Sequence, residues 1–419
     1  MPIRASCCIP KIQKGIKRAK EGSCPSLLYN LFHELRGADE INIATYLFNN
    51  PIYFEFLSEL AKEGCKVNVT SIPMLGYSDK ALKVEGFEEK VSGRHIAKIV
   101  YQGLQDTSNM RLRIFPHKYV WYGALYMGGG ASYSFHVKAI YAKFPNNKNK
   151  CILSSGNFMF SDPYHSDNFI VFENMQSYEN PFKRFFRDLE KFSIPYDQYN
   201  LQFKTLEDEF LYSFFGKEIE IDSSEHINCF FTAPFYFYEN IGSNHFAGNR
   251  IIDLINNAQQ RVWVCSQHFH DLISFDPERE TIIKALYEKF LSNPDINFRF
   301  LKQVPHSSLA DKRRAGIAET LFQFVLKADQ RFNRLAHDKF MLIDGILLIS
   351  TANYTSTQFA FGSRRMTAGK GKDRIVKQDY FSEVNGFAII PNCPKEIMAI
   401  YENHFENLWQ KGEEINIKL

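Results

Sequence analysis

Two stretches of this chain carry the same small set of reactive side chains. The first reads His136-Val137-Lys138 and, beyond a polar turn, Ser155-Gly156-Asn157. The second reads His337-Asp338-Lys339, then Asp344, then Thr351-Ala352-Asn353. These residue types suit phosphoryl transfer. An imidazole titrates near neutrality, so it attacks phosphorus when neutral and protonates a leaving oxygen when charged. Lysine ammonium groups offset charge on the equatorial oxygens, and hydroxyl and amide groups complete the cradle. One copy supplies a nucleophile or an acid, whereas two copies supply both. The pair points to one site assembled from two halves, and to phosphodiester chemistry.

Strands must hold these residues. Each His-x-Lys opens an apolar run and each hydroxyl-x-Asn closes another. Strand alternation then puts His136 with Lys138, His337 with Lys339, Ser155 with Asn157 and Thr351 with Asn353 on common faces. The spacing predicts motif strands over 135–144 and 151–155, joined by a turn at 145–150, and over 332–343 and 346–350. Ahead of the first pair it predicts strands at 41–48, 66–70 and 110–115, with a helix from Pro51 to Glu63 closed by Gly64. A strand at 168–172 follows. The second half repeats this grammar, with helices at 251–258, 278–291, 309–326 and 395–410 and strands at 261–266, 296–304 and 384–390. Alternating strands and helices, given twice, predict an α/β chain with a first lobe over 1–205, a linker over 206–243 and a second lobe over 244–419.

The bulk numbers agree with a large folded core. Of 419 residues, 45% are hydrophobic and 15% aromatic, which excludes a disordered chain. The net charge of +3 permits an anionic partner without requiring one. Eight cysteines form no Cys-x-x-Cys pair, so a zinc site is not expected. Cys151 and Cys265 sit in strand-like runs and read as buried thiols, which suggests a reducing, cytoplasmic setting. The N-terminus lacks a continuous apolar region, and no apolar run of roughly 18 residues occurs, so no membrane span is expected. His268-Phe269-His270 beside Asp271 reads as structural or pocket-lining rather than metal-binding.

His337-x-Lys339, Asp344 and Thr351-x-Asn353 together resemble the HKD signature of the phospholipase D superfamily. That resemblance implies α-β-α lobes with mixed sheets, packed as a pseudo-dimer around one shared site. It implies a two-step reaction without metal or cofactor. One histidine forms a phosphohistidine while the other protonates the leaving alcohol and later activates the acceptor. His136 is expected to attack and His337 to serve as acid and base. The family also places a carboxylate downstream of each asparagine to orient a histidine. Asp167 fits that place in the first half, and Glu383, with Asp379 as a rival, in the second. The first copy departs from the signature, carrying Lys143 where the family has its aspartate. A motif without that aspartate resembles the tyrosyl-DNA phosphodiesterase branch, although there both copies lack it.

The substrate must be read from what surrounds the motifs. Arg364, Arg365, Lys370, Lys372, Arg374 and Lys377 lie with two glycines between the second motif and Glu383. Arg364, Arg365, Lys370 and Lys372 are expected to track a phosphate backbone, with Ser155 and Thr351 helping to hold the reacting phosphate. Lys312-Arg313-Arg314 and the basic face of Lys11–Lys20 add charge. Tyr119-Val120-Trp121-Tyr122 and the Phe230–Tyr238 aromatics offer stacking surfaces that are equally core-like. Nucleic acid, DNA first, is the expected partner. An anionic phospholipid is the alternative, and a degenerate binding protein a third reading that Lys143 alone supports. Both motifs lie in one chain, so a monomer suffices and a homodimer is compatible.

Overall fold

The computed structural model describes residues 1–10, 25–74, 77, 79–83, 90–115, 135–159, 165–202, 217–270, 281–303, 319–320, 322–323, 326, 328–359, 365–368, 375–378 and 383–414. The first lobe contains β1 (Ile3–Cys8), α1 (Pro25–Leu35), β2 (Glu40–Thr45), α2 (Pro51–Lys62), β3 (Lys66–Ser71), α3 (Gly93–Asp106), β4 (Met110–Ile114), β5 (Lys138–Lys143), β6 (Lys150–Ser154), β7 (Asp167–Glu173), α4 (Gln176–Phe192) and β8 (Ile194–Pro195). The second contains β9 (Cys229–Thr232), α5 (Ser243–Asn257), β10 (Arg261–Ser266), α6 (Ile282–Ser292), β11 (Asn297–Lys302), β12 (Asp329–Phe332), β13 (Lys339–Ile343), β14 (Ile346–Ser350), β15 (Asn385–Ile390), α7 (Lys395–Gln410) and β16 (Glu413–Glu414).

The two main sheets have one topology. The first runs β1-β7-β6-β5-β2-β3-β4-β8 and the second β9-β15-β14-β13-β10-β11-β12-β16. In each, β2–β3–β4 or β10–β11–β12 pair parallel, and the motif strands pair antiparallel. Local chemistry explains the elements. Ile41, Ile43, Val67 and Val69 alternate into the core with at most 1% exposure. At the start of α2, Asn50 accepts a hydrogen bond from Ile52 N at 2.9 Å and Pro51 opens the first turn. Gly64 follows at φ +103°, a conformation that suits a residue without Cβ.

The structure amends several expectations. The stretch 206–243 is not all linker, because β9 is an edge strand of the second sheet, paired to β15. The single strand expected at 332–343 is two. β12 pairs with β11 and β13 with β10, so they lie on opposite sides of the sheet centre. Cys151 and Cys265 are buried free thiols as expected, whereas Cys8 is disulfide-bonded. Among the described residues no helix is long and apolar enough to cross a membrane.

The lobes exchange helices. α4, which follows β7, packs on β9 of the other sheet, and α7, which follows β15, packs on β1. Tyr178 of α4 donates to Ile389 O at 2.9 Å, and Tyr401 of α7 to Asn168 Oδ1 at 3.1 Å. This leaves the ends of β5–β7 facing the ends of β13–β15 across the pseudo-two-fold.

Candidate active site

Backbone hydrogen bonds stitch the lobes together at the two motifs. Phe135 bridges Val384, and Ala336 bridges Ser166. His136 N donates to Val384 O at 3.0 Å, and Ser166 N to Leu335 O at 2.8 Å. Each catalytic-type histidine is thus seated against the segment that enters the other half's last long strand.

His136, Lys138 and Asn157 from one lobe and His337, Lys339 and Asn353 from the other are all at most 9% exposed. Lys138 Nζ lies 3.0 Å from His136 Nε2 and donates to His136 O at 2.6 Å. Lys339 Nζ likewise donates to His337 O. An ammonium only donates, so His136 Nε2 accepts and its ring proton sits on Nδ1. Nδ1 faces the Gln358 carboxamide at 3.3 Å, and Gln358 Oε1 is otherwise unpartnered, so turning the amide oxygen onto Nδ1–H satisfies both groups. Asn385 lies within hydrogen-bonding reach of the same ring. His337 differs: its Nδ1 bonds Asp167 Oδ1 at 2.8 Å, which fixes the tautomer with Nε2 as the reactive nitrogen. The carboxamide oxygens of Asn157 and Asn353 are buried without hydrogen-bond partners. Two such symmetry-related oxygens are acceptors available to a hydroxyl or N–H donor.

The pseudo-two-fold identifies which residues are equivalent. Ser155 Oγ donates to Asp167 Oδ1 at 2.7 Å, while Thr351 Oγ1 donates to Asn385 Oδ1 at 3.0 Å. Each hydroxyl also accepts a backbone N–H at 3.0 Å, from Asn168 or Gly386. Ser155 and Thr351 each bond the residue that partners a histidine. Asn385, rather than Glu383, occupies the place of Asp167. Glu383 sits two residues earlier, buried, with Oε2 3.5 Å from Asn385 Nδ2. Its equivalent in the first half is His165. Asp379 lies outside the described residues.

Asp344, expected among the catalytic set, is not brought to the histidines. It turns the β13–β14 hairpin at φ +50°, and its carboxylate accepts the backbone N–H groups of Gln259, Gln260 and Arg261 at 2.8–2.9 Å. At the equivalent corner of the first half, Lys143 bonds both carboxylate oxygens of Glu40 at 3.0 Å. The corner is thus Lys143 facing Glu40 in one half and Asp344 facing Arg261 in the other. None of these corner contacts involves a histidine.

Burial pushes both histidines well below their ordinary pKa, reinforced for His136 by Lys138 and Lys339 and for His337 by Lys339, His165 and Lys138. Each lysine therefore acts on both rings, and the two halves share one electrostatic environment. Burial also raises the Asp167 carboxyl to about 7, against the opposing pull of Lys339. A shift in this direction favours the neutral form of both imidazoles, the form a nucleophile needs. An anion lying between the lysines would offset their charge and let one ring take up a proton.

Sequence reasoning missed Gln358, Asn385, His165 and Asp338. Strand period alone hides Asn385, because it shares a face with Glu383. Asp338 points behind the motif, where it accepts from Ser166 Oγ at 2.5 Å, Asn168 Nδ2 at 2.6 Å and His404 Nε2 at 3.0 Å. Of the cationic segment, Arg365–Ala368 pairs antiparallel with Ile375–Gln378. The side chain of Arg365 and residues Arg364, Lys370 and Lys372 lie outside the described residues, as do Lys11–Lys20, Tyr119–Tyr122 and Lys312–Arg314. The hairpin springs from between Gln358 and Val384, both of which touch His136. Phe230, Phe231, Phe235, Tyr236 and Tyr238 are buried core, not a stacking surface. Phe269-His270 pairs with Tyr354-Thr355 as a short ladder, and Asp271 lies outside the described residues.

Residues 251–365 match the family model described as cardiolipin synthase, PLD-like domain. No curated protein matches the chain in sequence. In structure it resembles phosphatidylserine synthase of Haemophilus influenzae Rd KW20, over 94% of this chain and 86% of that one, at 12% identity and a TM-score of 0.55. Polyphosphate kinase of Porphyromonas gingivalis aligns over 91% of this chain at 12% identity and a TM-score of 0.48, and this chain spans 48% of that one. Yeast tyrosyl-DNA phosphodiesterase aligns over 84% of this chain and 83% of that one, at 10% identity and a TM-score of 0.42. The family match places a phospholipase D-like domain over residues 251–365, and the first half repeats its sheet topology and its motif.

Proposed function

We propose that this chain hydrolyses phosphodiester bonds of nucleic acid without a metal, through a phosphohistidine on His136 with His337 as acid and base. The observation that carries the assignment is the unequal support of the two rings. His337 Nδ1 faces a carboxylate at 2.8 Å, whereas His136 Nδ1 faces a carboxamide. A carboxylate stabilises the imidazolium, so His337 is the ring suited to carrying and returning a proton. His136 stays neutral between an amide and Lys138, the state that attacks phosphorus.

In the first step the His136–phosphorus bond forms as the bond to the leaving oxygen breaks, and His337 protonates that oxygen. In the second, water gives its proton to His337 as its oxygen displaces His136. Lys138 and Lys339 balance charge on the non-bridging oxygens throughout.

The nucleic-acid reading rests on the sequence between Gln358 and Val384, both of which touch His136, since that interval carries Arg364, Arg365, Lys370, Lys372, Arg374 and Lys377 and clustered Lys and Arg follow a polyanion. The family model's name and the likeness to phosphatidylserine synthase favour a second reading, a phospholipid headgroup ester. Incubation in EDTA with labelled single-stranded DNA, duplex DNA, RNA and anionic phospholipid vesicles separates them. Cleavage of a nucleic acid by the wild type, abolished in His136→Asn and in His337→Asn, is expected. Cleavage of vesicle lipid alone replaces the substrate class, and full activity in either variant removes the shared site.

A further inference from the structure

The two histidines are served by symmetry-related pairs that have exchanged their chemistry. Beside His337 the pair is His165 and Asp167; beside His136 it is Glu383 and Asn385. The carboxylate has moved by one strand repeat, and at the vacated position the first half carries an imidazole. The fold alone does not demand that ring, because its equivalent position holds a glutamate.

The two positions also differ in access. Glu383 is 5% exposed, whereas His165 is mostly buried but keeps an exposed edge. The His165 ring lies beside that of His337, with centroids 5.4 Å apart and planes tilted by 32°. His136, His337 and both lysines are at most 9% exposed. His165 is therefore a polar ring that reaches both solvent and the acid–base histidine. Burial lowers the His165 pKa, with the Asp167 carboxylate opposing that shift and Lys339 adding to it.

We propose that His165 contacts the group that leaves and enters over His337, and so determines which acceptor takes the phosphoryl group. This rests on the two-histidine reading above. In an in-line displacement the leaving oxygen departs opposite His136, on the His337 side. The acceptor returns along the same path. Its oxygen bonds to phosphorus as the His136–phosphorus bond breaks, and its proton passes to His337 Nε2. An alcohol or water on that path lies against the His165 ring, whose nitrogens can hydrogen-bond a hydroxyl.

The test is a partition ratio, which does not depend on the amount of folded enzyme. The full chain is given bis-p-nitrophenyl phosphate in the presence of 1-butanol or glycerol, and transfer to the alcohol is measured against hydrolysis. His165→Phe keeps a ring but loses its hydrogen bonds, and should raise the butanol-to-water ratio by about threefold or more while lowering transfer to glycerol. His165→Gln should return both ratios toward wild type. If His165→Phe is inactive, the ratios are read from His165→Gln and His165→Leu. Ratios within about twofold of wild type in every active variant overturn the role of His165 and leave the two-histidine reading standing. A wild-type enzyme that partitions to no alcohol and forms no phosphohistidine overturns both.

Discussion

At the scale of single residues, the site turns on two imidazoles that burial and lysines hold neutral. The proposed mechanism requires one of them, His337, to be protonated when substrate is bound. Its free-enzyme pKa is depressed by burial first and by Lys339 next. A diester anion between Lys138 and Lys339 supplies negative charge and shifts it upward. Since kcat/KM reports the free enzyme and kcat the bound one, the alkaline limb of kcat/KM should fall at lower pH than that of kcat. Lys339→Met should slow turnover by on the order of 10²-fold, as expected for lost transition-state charge stabilisation, and move the kcat/KM limb upward. Coincident limbs in wild-type pH–rate profiles would show that His337 is not the proton donor. Asp167 is the residue that makes the two rings unequal. Its partner across the pseudo-two-fold, Asn385, has the same hydrogen-bonding outline without the charge.

At the scale of elements, the site depends on the lobes being locked together where β13 meets β7. Asp338 forms that lock from the back of the motif, through Ser166, Asn168 and His404. The equivalent first-half residue is Val137, fully buried, so the lock exists on one side of the pseudo-two-fold. Burial pushes the Asp338 carboxyl up, but attraction to His404 and the hydrogen bonds from His404, Ser166 and Asn168 hold it down at about 2. A depressed folded-state pKa contributes stability that is present above the unfolded value of 3.8 and is lost as pH falls toward 2. Asp338→Ala strands three buried donors and should cost about 3–5 kcal/mol at pH 7. That cost should shrink below pH 3, and both effects are measurable by urea unfolding. A loss under about 1 kcal/mol at pH 7 would mean that the exchanged helices α4 and α7 hold the lobes without it.

At the scale of the whole molecule, much of the architecture was legible because duplication writes the same pattern twice. The spans 261–266, 346–350 and 395–410 match β10, β14 and α7 to the residue. What the sequence hid has physical causes. Strand period makes residues two apart share a face, so nothing in the pattern separates Glu383 from Asn385. Asp344 sits at a hairpin corner where three backbone N–H groups converge, a demand invisible until β10 lies beside β13. Gln358 and His165 reach the site only because the lobes cross at Phe135–Val384 and Ser166–Ala336. The same crossing makes one site from two motifs, and that is the central claim. It is tested most directly by acid-quenched or rapidly denatured reaction mixtures, mapped by mass spectrometry for phosphorylated histidine. With bis-p-nitrophenyl phosphate, whose leaving group needs no acid, the account predicts at most one phosphoryl group per chain, on His136, accumulating in His337→Asn and absent from His136→Asn. A phosphoryl group on His337, or one on each histidine of the same chain, would contradict it.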